Sequence, residues 1–139
     1  MERGPIPLNL HAAIEPLVAV IVIAAPWIFG FSETDSATTI CVIVGVVMLL
    51  SGALTDWRMS LARVIPLRMH MMTDLLLGAV LILSPLVFGF ADEGGPTRFM
   101  VIAGVLEAMT ALMTRWDRTE ADPAYAREPG SRGHRPAAH

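Results

Sequence analysis

Five ionisable side chains sit in a chain that otherwise has little use for them. His11 and Glu15 stand four residues apart, as do His70 and Asp74, so each pair shares one face if its segment is helical. Two imidazoles and two carboxylates brought together make a donor set for a divalent metal, and two imidazoles alone could serve a haem as axial ligands. His11, Glu15, His70 and Asp74 are therefore the candidate metal ligands, and His11 and His70 the candidate cofactor ligands. The plainer reading places both acids in first helical turns, where they meet the favourable end of the helix dipole, with the histidines at the membrane interface. The residues alone favour that plainer reading, so neither metal nor cofactor is expected.

Glu107 lies alone inside an apolar block. An ionisable group at membrane depth costs about 2.5 kcal/mol or more unless paired or protonated, which makes it a functional candidate. It could serve a proton relay or cation path, or be a neutral acid bonded to a neighbouring helix or subunit. With no matching buried base, the structural role is the expected one. Cys41 is the sole cysteine, which excludes an intrachain disulfide, and its apolar surroundings make it a small packing residue. There is no nucleotide-binding glycine loop, nucleophile elbow or metalloprotease motif, so no enzymatic activity is expected. The formal net charge of −3 gives no reason to expect a nucleic-acid partner.

The elements that must position these groups are transmembrane helices. Of the 139 residues 54% are hydrophobic and only 17% charged, against roughly a quarter charged in soluble domains. The apolar residues form four blocks, about 12–31, 37–57, 69–90 and 97–116. Each approaches the ~20 residues that a ~30 Å hydrocarbon layer requires. Helices satisfy their own backbone groups, which lipid cannot. The first ten residues lack the pattern of a cleaved signal peptide, so the first helix is expected to direct its own insertion.

All ten basic residues are arginine. Arg3, Arg58, Arg63, Arg68, Arg115, Arg118, Arg127, Arg132 and Arg135 fall on one side of the four spans, and only Arg98 on the other. This bias places both termini in the cytoplasm. Trp57 and Trp116 then mark the inner interface, and Trp27, Phe29, Phe31, Phe88 and Phe90 the outer one.

The chain repeats itself. Pro26-Trp27-Ile28-Phe29-Gly30-Phe31 recurs as Pro85-Leu86-Val87-Phe88-Gly89-Phe90, an offset of 59 residues. The same offset pairs Pro7 with Pro66, His11 with His70, Glu15 with Asp74, Thr38 with Thr97, Gly45 with Gly104, Thr55 with Thr114 and Trp57 with Trp116. Two helices per unit bring both copies into the membrane in the same direction. The fold class is therefore all-α: a four-transmembrane-helix bundle from two parallel repeats related by a pseudo-two-fold axis along the membrane normal. The expected organisation is an interfacial segment 1–11, repeat one over 12–57, a cytoplasmic linker 58–68, repeat two over 69–116, and a polar tail 117–139. Pro26 and Pro85 loosen the helix ends, and Gly30 and Gly89 end them through a positive φ. Small residues at four-residue spacing, Ala37, Cys41 and Gly45 in the second span and Gly104 and Ala108 in the fourth, allow close approach within the chain or between chains.

These features resemble the SPW-repeat family of small bacterial membrane proteins, whose members carry Ser-Pro-Trp in the first helix of a two-helix unit. The motif reads Ala25-Pro26-Trp27 in copy one and Ser84-Pro85-Leu86 in copy two, each continuing into Phe-Gly-Phe. The resemblance covers about residues 6–116. It implies the fold and a bacterial cytoplasmic membrane, and it supplies no catalytic residues. The leading expectation is a non-enzymatic structural or accessory protein that packs against other membrane subunits (of a respiratory or photosynthetic complex, for example) or against itself. A small proton or cation transporter using Glu107, and a metal or haem protein using His11 and His70, are the alternatives.

Overall fold

The computed structural model describes residues 4–116. Arg3 and the whole of the tail 117–139 lie outside the described residues. The element order is β1 (Ile6–Pro7), α1 (Leu8–Ile28), α2 (Asp35–Leu54), α3 (Leu67–Val87), α4 (Gly94–Met113) and β2 (Thr114–Arg115). All four helices are long and apolar enough to cross a membrane. Leu17, Ile43, Leu76, Leu83, Ile102 and Leu106 point outward from them, each more than half exposed. Such a surface suits lipid as solvent. Over the described residues the chain is an all-α, four-helix membrane protein.

The helices begin two to four residues earlier than the apolar blocks. Pro7 and Pro66 are the N-caps of α1 and α3. Their fixed φ suits a helix entrance, and the lost N–H is one the first turn does not use. This shift corrects the plainer reading of the acids. No acidic residue lies in the first turn of α1 or α3. Glu15 and Asp74 each stand seven residues beyond the helix start, roughly 10 Å in at 1.5 Å per residue, and both are buried.

The far ends of α1 and α3 close identically. Gly30 and Gly89 take φ of 72° and 73°, and the Phe31 and Phe90 N–H groups donate back to the Pro26 and Pro85 carbonyls at 2.8 and 3.0 Å. This six-to-one bond is a Schellman closure. It turns Phe31 and Phe90 back into the bundle, where they are 5% and 3% exposed. They are therefore core residues, and Trp27, Phe29 and Phe88 remain as the exposed aromatics of that end.

Each repeat is a tight hairpin, α1 against α2 and α3 against α4. A Cβ on Gly45 would strike Ile23 and lie 2.8 Å from the Ala19 carbonyl. The equivalent Gly104 faces Gly78, where a Cβ would lie 2.5 Å from the Gly78 carbonyl, and Ala108 packs on the other side of Gly78. The small-residue faces are spent inside the hairpins. Between hairpins, β1 pairs in parallel with β2, Ile6 with Thr114, and its duplicate is the bridge between Ile65 and Thr55. The segment entering each repeat is thus stitched to the segment leaving the other. At the opposite end the Thr34 hydroxyl donates to the Glu93 carboxylate, a pair related by the 59-residue offset.

Candidate metal centre

Inside this frame, α1 carries His11 and Glu15 one turn apart, and α3 carries His70 and Asp74 likewise. The pseudo-two-fold axis turns the two faces toward each other at the end of the bundle where β1 and β2 pair. His70 and Asp74 are fully buried, and His11 and Glu15 nearly so. His11 Nε2 lies 3.4 Å from Asp74 Oδ2 and 3.7 Å from Glu15 Oε2. His70 Nε2 lies 3.3 Å from Asp74 Oδ2 and 3.2 Å from Glu15 Oε2. Nitrogen and oxygen thus alternate around a closed ring of four, and the donor atoms of His11, His70 and Asp74 all fall within 4.8 Å of one another. None of the ring atoms has a hydrogen-bond partner, nor do the second oxygens Glu15 Oε1 and Asp74 Oδ1.

The far side of each imidazole is fully engaged. His11 Nδ1 lies 3.0 Å from Thr114 Oγ1, and that hydroxyl donates its own proton to the Thr110 carbonyl at 2.7 Å. Thr114 Oγ1 can therefore only accept, so His11 Nδ1 carries the hydrogen. His70 repeats the pattern. Its Nδ1 donates to Thr55 Oγ1 at 2.8 Å, with Ser51 Oγ at 2.9 Å, while Thr55 donates to the Ser51 carbonyl at 2.7 Å. With Nδ1 protonated, a ring in its neutral form presents the bare lone pair of Nε2 to the carboxylate oxygens. Lone pairs facing lone pairs repel, and a cation between them reverses the sign. Bonds of about 2.0–2.2 Å to one ion set tetrahedral donors roughly 3.3–3.6 Å apart; the four N···O edges, at 3.2–3.7 Å, come near this, and His11, His70 and Asp74 form the tighter group of three. Two carboxylates also neutralise a divalent ion, which removes most of the cost of holding charge in lipid.

Trp57 and Trp116 wall the histidines. Trp57 stands 4.5 Å from the His70 ring centre and Trp116 5.1 Å from that of His11. Their indole N–H groups donate to the Gly52 and Ala111 carbonyls at 2.9 and 2.8 Å. Trp57 is 3% exposed, which corrects its assignment as an interface marker: ring packing and the bond to Gly52 hold it inside. The Glu15 and Asp74 carboxylates occupy the space between the two imidazoles that a macrocycle would need, so the set does not fit a bis-histidine haem. Gly52 leaves room for Glu15, since a Cβ there would sit 3.3 Å from Oε2. A cavity of about 190 Å³ opens beside this carboxylate, lined by Met48, Trp57, Met59 and Leu61 among others.

Glu107 lies on α4, 8% exposed, with Oε1 lacking a hydrogen-bond partner. Its carboxyl feels the charges of Asp74, Glu15 and His11 across the bundle, while the donors that fall within 4.8 Å of one another are those of His11, His70 and Asp74. Cys41 is free and buried among core residues. Sequence reasoning paired Thr55 with Thr114 as repeat markers and missed their role as the acceptors that set the histidine tautomers. The available signal was a polar residue duplicated at the end of an apolar block together with a duplicated histidine.

A search of curated proteins and one of solved structures each returned no match. A family model for the SPW repeat domain matches residues 9–114, a span that begins just before His11 and ends at Thr114, the residue that accepts from it. The chain belongs to the SPW repeat domain family.

Proposed function

We propose that the chain is a non-enzymatic membrane protein that holds one divalent transition-metal ion between its two repeats. The observation that carries this is the buried ring of unpartnered donors, His11 Nε2, Asp74 Oδ2, His70 Nε2 and Glu15 Oε2, at 3.2–3.7 Å. Bundle cores build metal sites in this way, from side chains on facing helices. The tautomers held by Thr55 and Thr114 are the outer contacts that orient metal-bound imidazoles. The arginine distribution supports an orientation with both termini, and so the metal centre, toward the cytoplasm. The small-residue faces are used within the hairpins, so a role as a packing subunit draws its support from the exposed apolar faces alone. The half of the bundle beyond Glu107 is filled by Leu81, Met100, Phe31 and Phe90, which gives a transport path little support.

The test is metal analysis of the full chain purified in detergent and loaded in turn with Zn²⁺, Mn²⁺ and Co²⁺. One ion per chain is expected, with Co²⁺ giving visible absorption bands, and His70→Ala should weaken binding by about 100-fold or more. Failure of the wild-type chain to retain any of the three ions stoichiometrically would sink the proposal.

A further inference from the structure

Glu107 is the one part of the centre that the duplication does not explain. The 59-residue offset puts Met48 at its place in repeat one. Met48 is 1% exposed and lines the cavity beside Glu15, so the equivalent position in repeat two flanks Asp74. A methionine fills that position well enough for packing, as repeat one demonstrates. Repeat two instead carries a carboxyl group there, in lipid surroundings where each such group is costly. Helical spacing sets Glu107 and Ala111 on one face of α4, and the C-cap residue Thr114 that follows touches the His11 ring.

The buried carboxylate oxygens outside the ring point to a ligand. Glu107 Oε1, Asp74 Oδ1 and Glu15 Oε1 are buried and lack hydrogen-bond partners. Added to the four ring donors, they make a set of two imidazoles and three carboxylates. Zinc is satisfied by four donors in a tetrahedron. Oxygen-rich sets with more than four donors suit ions that take five or six ligands, manganese and ferrous iron above all.

Resting on the metal reading above, we infer that Glu107 is a fifth ligand group that biases this centre toward Mn²⁺ or Fe²⁺ over Zn²⁺. Its carboxylate would join His11, His70, Asp74 and Glu15 as a further oxygen donor to the ion.

The experiment compares wild type with Glu107→Gln and Glu107→Met, all as full chains in detergent, the second variant restoring the residue that repeat one tolerates. Mn²⁺ affinity is read from the paramagnetic resonance of the free ion, and Zn²⁺ affinity by competition with a chromophoric chelator. Both variants should bind Mn²⁺ about tenfold or more weakly, while Zn²⁺ affinity stays within about threefold. Helicity and thermal unfolding by circular dichroism identify a variant that does not fold, and the other then decides. An unchanged ratio of Mn²⁺ to Zn²⁺ affinity overturns the inference, whether both affinities hold or fall together, and leaves the four-ligand site standing. A wild-type chain that binds neither ion removes the site itself and this inference with it.

Discussion

Replacing Thr114 by valine keeps the shape of the side chain and removes the oxygen that accepts from His11 Nδ1. Thr114 is 3% exposed, and the bond it takes is 3.0 Å long. The variant must either strand a buried N–H, at about 1–3 kcal/mol, or let the imidazole proton move to Nε2, which would aim a hydrogen at the metal position. Either outcome should cost about 10- to 100-fold in metal affinity, the usual price of losing such an outer contact, or roughly 1.4–2.7 kcal/mol. Thr55→Val makes the same change on His70, but there Ser51 Oγ stands 2.9 Å from Nδ1 as a second acceptor. Its loss should stay below about tenfold. Co²⁺ titration, followed by visible absorption and by quenching of Trp57 and Trp116 in a Trp27→Phe background, measures both. Equal losses in the two variants, or none in Thr114→Val, would refute the tautomer argument.

Two further outcomes are expected. Gly104→Ala should destabilise the second hairpin by about 1–3 kcal/mol, because its Cβ would lie 2.5 Å from the Gly78 carbonyl and backbone cannot rotate away; thermal unfolding in detergent measures this, and an unshifted midpoint contradicts the close packing. With the buried Cys41 left in place, Ser32→Cys and Arg63→Cys should react with an impermeant maleimide from opposite sides of the membrane, and reaction from the same side would exclude the parallel hairpins.

The fold was legible because lipid simplifies the code. Four apolar blocks can only be helices, and the recurrence of Pro26, Phe29, Gly30 and Phe31 as Pro85, Phe88, Gly89 and Phe90 fixes their pairing into units. The site was half legible. The recurrence of His11 with Glu15 at His70 with Asp74 named the right residues, but hydropathy placed the helix starts too late. Leu8 to His11 and Leu67 to His70 mix polar and apolar residues, so hydropathy starts the blocks at about 12 and 69 and sets both acids near helix ends. Only the proline caps, read as starts, would have moved them inward. The acceptors could not be paired with their histidines from spacing. Thr114 is 103 residues from His11, and the topology that joins them depends on the parallel contact between β1 and β2. Phe31 and Phe90 look like interface aromatics in sequence because the backward turn at Gly30 and Gly89 is a tertiary event. Glu107 announced itself as anomalous, but its neighbours are contributed by other helices.

The pairing of Ile6 with Thr114 has a mechanical side. Thr114 ends the last membrane crossing and leads directly into residues 117–139, while its hydroxyl steadies an imidazole in the interior. A pull on the chain at Thr114 is therefore felt at once by the β1–β2 ribbon and by the His11 imidazole, so backbone tension and side-chain orientation meet in one residue.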